Sequence, residues 1–158
     1  MYLGFGLCLA ACSTNSETAT VSAENTTPPA PETAPTSAVI DARADSTVQV
    51  TFPANDSSVT VLGELKTVNQ EFIASIPVQG KRKLSATLLA PDSLPNIRFA
   101  QVIQPDGEAN GPFGTTVSVS TPKDGVYKLR ISHNLRTEAG LTREFKLRVV
   151  VHLSLIHI

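Results

Sequence analysis

Between Val39 and Val151 the apolar residues recur at every second position in short runs, and they hold no sustained helical spacing of three to four. Along Val126–His133, Tyr127, Leu129 and Ile131 fall on one side, while Lys128, Arg130 and Ser132 fall on the other. Further on, Phe145, Leu147, Val149 and Val151 oppose Lys146 and Arg148 in the same way. Eight such runs are predicted as strands, over 47–52, 58–65, 71–78, 83–89, 97–103, 115–120, 126–133 and 143–151. Pro53-Ala54-Asn55-Asp56, Gln79-Gly80, Pro91-Asp92, Pro105-Asp106-Gly107 and Lys123-Asp124-Gly125 punctuate them as turns. Many short strands with frequent turns predict an all-β fold, an antiparallel β-sandwich over 39–152. The only cysteines, Cys8 and Cys12, precede this region, so two apolar inner faces must hold it together without a disulfide.

The residues before the sandwich have a different chemistry. Met1–Leu9 is uncharged and apolar and leads into Leu9-Ala10-Ala11-Cys12-Ser13, which resembles the cleavage box of bacterial lipoproteins. The resemblance implies a signal peptide over 1–11, lipidation of Cys12, and membrane attachment through that lipid. Ser13 after the cysteine is similar to the pattern sent on to the outer membrane. A basic start is missing, since the first Lys or Arg is Arg43. Residues 13–38, rich in Thr, Ser, Ala and Pro, bury too little to offset their ordering entropy and are predicted to be a disordered tether. As a coil it would span about 28 Å, and about 80 Å fully extended. At the other end, 153–158 resembles the in-frame translation of a sequencing adapter, so His157 is given no role.

Composition argues against catalysis. The cysteines lie in the leader, and only His133 and His152 remain as imidazoles in the domain. Asp106 with Glu108, and Asp92 with Ser93, fall in turns, where Asp chiefly hydrogen-bonds its own backbone. Carboxylates in one loop are poorly placed for a glycosidase, which holds them on opposite sides of a bond. Asn110-Gly111-Pro112-Phe113-Gly114 lacks the Lys and Ser/Thr of a phosphate loop and is predicted to be a plain loop. His133 is expected to be a strand-end polar residue. Neither enzyme activity, a cofactor nor a metal is expected. Residues 122–152 carry seven basic groups against three acidic ones, an excess that could attract a polyanion. Outward strand positions must be polar anyway, and no aromatic platform accompanies the charge, so nucleic acid is not an expected partner.

The order of features from Ser57-Ser58 through Gly63-Glu64-Leu65, Glu71-Phe72 and Val78-Gln79-Gly80-Lys81 to Pro122–Ile131 resembles a known family. It looks like the periplasmic lysozyme inhibitors of the goose- and invertebrate-type class, over about residues 47–151. The pre-peptidase C-terminal domains of secreted proteins are similar in layout. The first resemblance implies a lysozyme partner, and a loop that enters the lysozyme cleft. That loop is Lys123-Asp124-Gly125-Val126-Tyr127 here, with Arg136 and Arg143 on a supporting basic loop. Gly125 would permit the turn, and Tyr127 would supply an amphipathic anchor. Asp124 stands where the family has Ser, and its carboxylate would repel a catalytic carboxylate. The alternative role of Gly125 and Tyr127 is structural, a turn glycine followed by an inward-facing tyrosine. The second resemblance implies a non-catalytic binding module of the cell envelope.

Overall fold

The computed structural model describes residues 37–80, 82–91, 96–136 and 141–153. The signal peptide, Cys12, nearly all of the tether, Asp92, Ser93 and the last five residues lie outside that set. The chain forms ten strands: β1 (Ala38–Asp41), β2 (Thr47–Gln49), β3 (Ser58–Glu64), β4 (Glu71–Val78), β5 (Arg82–Leu89), β6 (Ile97–Ile103), β7 (Ala109–Asn110), β8 (Thr116–Thr121), β9 (Gly125–His133) and β10 (Glu144–Leu153). One sheet has the order β1-β3-β10-β5-β8, the other β2-β4-β9-β6-β7. Each predicted run contributes a strand, so the all-β sandwich stands. The pairing is antiparallel except at two places, where β1 runs parallel to β3 and β2 parallel to β4.

Those parallel edges follow from how the chain is laid down. β1 and β3 belong to one sheet and β2 and β4 to the other, so the chain changes sheet at each step while reversing direction. Two reversals bring it back to the first sheet pointing the same way. The stretch 42–57 thus acts as the long crossover that parallel neighbours need. The strands not predicted are β1 and β7. β7 is two residues long and closes the turn after β6, in which Gln104 N donates to Glu108 O at 2.7 Å. The predicted loop Asn110–Gly114 runs beside β6, with Phe113 N donating to Phe99 O at 2.9 Å. Glycine is required there: Gly111 has φ +146°, and a Cβ would lie 2.5 Å from Ala100 O.

Alternation decides the interior. Val59, Val61, Leu84, Leu147 and Val149 of one sheet face Phe72, Ile76, Phe99, Leu129 and Ile131 of the other, all completely buried. The sheets are keyed by Phe72 and Phe145, whose rings meet edge to face with centroids 5.3 Å apart. Phe145 also lies over its cross-strand neighbour Gly63, where an added Cβ would come within 2.4 Å of its ring. This contact explains the glycine inside β3.

Register assigns every connection to one end of the sandwich or the other. The turns β4–β5 and β8–β9, the turn after β6, and the 50–57 loop lie together at what we term the turn end. β1 begins there and β10 finishes there, since Ala38 pairs with Val59 and Leu153 with Arg82. The β3–β4, β5–β6 and β9–β10 connections gather at the opposite, loop end.

Candidate functional site

Three turns converge at the turn end, and each is fastened to another. The Asp124 carboxylate accepts a hydrogen bond from Gly80 N at 2.7 Å, joining the β8–β9 turn to the β4–β5 turn. The Lys123 ammonium binds the Asp106 carboxylate, joining the β8–β9 turn to Pro105-Asp106-Gly107. That hydrogen bond holds the Asp106 carboxyl below its ordinary pKa and the Lys123 ammonium above its own. Gly125, at φ +136°, sits where a Cβ would lie 2.7 Å from the Pro105 ring. The conformation and the space both demand glycine at this position.

Tyr127 has its side chain inside. It is 1 % exposed, and its hydroxyl donates to Lys123 O at 3.1 Å and accepts from Lys123 N at 3.4 Å. The phenol therefore closes the turn from beneath. Of the two roles that the sequence left open for Tyr127, the inward-facing one matches this placement, because alternation along β9 that buries Leu129 and Ile131 buries Tyr127 with them. The outward neighbour Val126 is 38 % exposed and stands across from exposed Pro77 on β4. Asp124 is held as well. Its carboxylate is engaged by the neighbouring turn, so it does not present two free oxygens to a partner.

Arg136 and Arg143 are not brought near this turn. Both are exposed on the β9–β10 connection at the loop end, separated from Lys123 by the length of β9, about 27 Å. The basic excess over 122–152 is divided likewise. Arg130 pairs with Glu71 at 2.6 Å on the outer face of the second sheet, while Lys146 and Arg148 lie on the outer face of the first. His133 does end its strand, but it is 2 % exposed, with Nδ1 3.2 Å from Val68 O and Nε2 2.9 Å from Thr142 O. It ties together two connections of the loop end and is not solvent-facing. Among the described residues, no group of three or more His, Cys, Asp or Glu is arranged to hold a metal ion. No described helix is long and apolar enough to cross a membrane.

What sequence reasoning missed is the partnership of Gly80 and Pro105 with the candidate loop. Each was legible as a turn residue, yet no pattern announced that the three turns would meet.

No protein-family model matches the chain, and no curated protein matches it by sequence. Among solved structures it is similar to PliG from Aeromonas hydrophila, a periplasmic lysozyme inhibitor of g-type lysozyme. The two are 17 % identical with a TM-score of 0.56, over 73 % of this chain and 100 % of that one. A mutant of the Escherichia coli PliG superposes with a TM-score of 0.48 at 16 % identity, over 66 % of this chain and 96 % of its own. For Salmonella Typhimurium PliG the values are 0.47 and 12 %, with the same coverages. The likeness to the Aeromonas protein establishes a shared sandwich fold.

Proposed function

We propose that this protein is a non-catalytic inhibitor of a g-type lysozyme, acting in the bacterial envelope through the turn end of its sandwich. The observation that carries the reading is the fold shared with Aeromonas PliG along that protein's whole length. The turn cluster supports it. A contact surface gains affinity when its loop is held before binding, and three turns fastened by Asp124–Gly80, Lys123–Asp106 and Gly125–Pro105 meet that requirement. In this reading Lys123, Asp124 and Val126 touch the enzyme, and Tyr127 positions them from below. Attachment through a lipid on Cys12, facing the periplasm from the outer membrane, belongs to the same proposal. It would raise the inhibitor's effective concentration where the enzyme attacks.

The test is residual activity of goose-, invertebrate- and chicken-type lysozymes titrated with the full-length protein and with Val126→Asp. Selective inhibition of the goose-type enzyme, weakened about tenfold or more in the variant at an unchanged melting temperature, is the expected result. Absence of inhibition at any protein concentration up to about micromolar would overturn the reading. If wild type and Val126→Asp inhibit equally, the contact lies elsewhere.

A further inference from the structure

The outer face of the first sheet carries a feature that the inhibitor reading does not use. Lys146 and Arg148 project outward two residues apart on β10, about 7 Å from one another. Lys83, on β5, pairs with His152 further along the same strand, about 13 Å beyond Arg148. All three cations are exposed, and among the described residues none lies within ion-pair distance of a carboxylate. Arg43, Lys123 and Arg130, by contrast, are each paired. Edge protection, the ordinary reason for lysine on a strand, does not apply to Lys146 and Arg148. β10 is the middle strand of five, bonded on both sides by β3 and β5.

The neighbours of this row are mostly hydroxyl-bearing. Arg148 stands between Thr60 and Thr87, and Val150 between Ser58 and Ser85, with the Ser85 and Ser118 hydroxyls 3.1 Å apart. On the rows of Thr60 and Ser58 the outward residues include neither an acid nor an aromatic ring; acids begin at the Lys146 end, where Asp41 and Glu144 are met by Arg43 and Glu64 stands across from Glu144. We infer that this face binds an extended anionic polysaccharide. Unpaired cations spaced along the adjacent strands β10 and β5 answer the polymer's acidic groups, and the serine and threonine hydroxyls between Lys146 and Lys83 hydrogen-bond its sugar hydroxyls. The lack of a stacking ring disfavours single-stranded nucleic acid. The row lies on a flat face and not at the turn end, so the inference is independent of lysozyme binding.

The experiment measures binding of the full-length protein to dextran sulfate, polygalacturonate, uncharged dextran, oligothymidylate and phosphatidylglycerol vesicles across a salt series. Expected is binding to the two anionic polysaccharides alone, with a log–log salt slope of about 2–3 in magnitude for three cations. Lys146→Gln/Arg148→Gln is expected to lower affinity about tenfold or more at about 50 mM salt and to reduce the slope to about 1. Lys128→Gln, on the opposite sheet, is expected to change neither. Failure to bind either anionic polysaccharide would overturn the inference. So would equal weakening by Lys128→Gln, or tighter binding to oligothymidylate or vesicles. Circular dichroism melts of each variant separate lost binding from lost fold, and a Lys83→Gln variant supplies a third test should the double variant unfold.

Discussion

Replacing Tyr127 by phenylalanine removes a single oxygen, and the structure predicts what that oxygen is for. The ring is 1 % exposed, and the hydroxyl's only described partners are the backbone N and O of Lys123. Tyr127→Phe keeps the ring in its slot and forfeits the bond to Lys123 O, a loss of about 0.5–1.5 kcal/mol. Tyr127→Ala also empties the slot, and truncation of a buried aromatic costs about 3–5 kcal/mol. The chain has no Trp, so urea unfolding is best followed by far-ultraviolet circular dichroism. The phenylalanine variant should unfold at a modestly lower midpoint with an unchanged slope, and melt about 3–6 °C earlier. The alanine variant should lose several times as much. Alanine as mild as phenylalanine would refute the buried placement, and an unchanged midpoint for phenylalanine would refute the hydroxyl's role. Under the proposed inhibitor function, loss of inhibition in Tyr127→Ala would therefore say little about contact, whereas Tyr127→Phe is expected to inhibit as the wild type does.

Gly63→Ala should destabilise by about 1–3 kcal/mol, because the new methyl meets the Phe145 ring and Phe72 blocks that ring's retreat. Adding Phe145→Leu should cost less in the Gly63→Ala background than alone, a coupling that a double-mutant cycle of unfolding midpoints reads. Asp124→Asn retains an acceptor for Gly80 N and should leave the turn intact, whereas Asp124→Ala should speed amide exchange at Gly80, measurable by nuclear magnetic resonance. Hydrogen bonds from Arg43 hold the Asp41 carboxyl at about 2, below its ordinary 3.8. The stability contributed by that pair is complete above the ordinary value and is lost as pH falls through about 2. A carbon-13 titration should find Asp41 ionised at pH values where free aspartate is mostly protonated, and Arg43→Gln should shrink the difference to what the backbone hydrogen bond from residue 43 leaves.

Much of this architecture is visible in the order of residues, and the reason is period two. A strand buried on one face writes its own alternation, so Tyr127, Leu129 and Ile131 announce β9, and Phe145, Leu147 and Val149 announce β10. β7, two residues long, is too short to write any pattern; β1 is four residues that follow directly on the Thr-, Ser-, Ala- and Pro-rich stretch, whereas the three residues of β2 sit within a longer alternating run. The turns at Gly80, Gly107 and Gly125 were each legible from Gly and Asp chemistry. Their convergence was not, because it depends on β4–β5 and β8–β9 both crossing between sheets at one end. The same gap misjoined Arg136 and Arg143 to Lys123. A window of sequence sums charge along the chain, but β9 carries the chain across the full height of the domain within that window. Tyr127 illustrates a subtler case, where a resemblance suggested an amphipathic anchor and alternation an inward-facing side chain. The side chain follows local periodicity, because turning one residue of a strand outward would leave a hole beside its buried cross-strand partner Ile76 and its same-face neighbour Leu129.

The entry of the chain at the turn end has a mechanical meaning. Tension applied through the residues before Ser37 reaches the domain at the first residue of β1 and is directed along the strand. If the sandwich is gripped at the turn end, the line of force runs from β1 to that grip and bypasses most of the two sheets. If it is gripped at the loop end, the same tug must slide β1 along β3, loading four parallel-paired residues in concert. Forced unfolding is governed by a rate rather than an equilibrium, so the lifetime of the domain under load depends on which end is held.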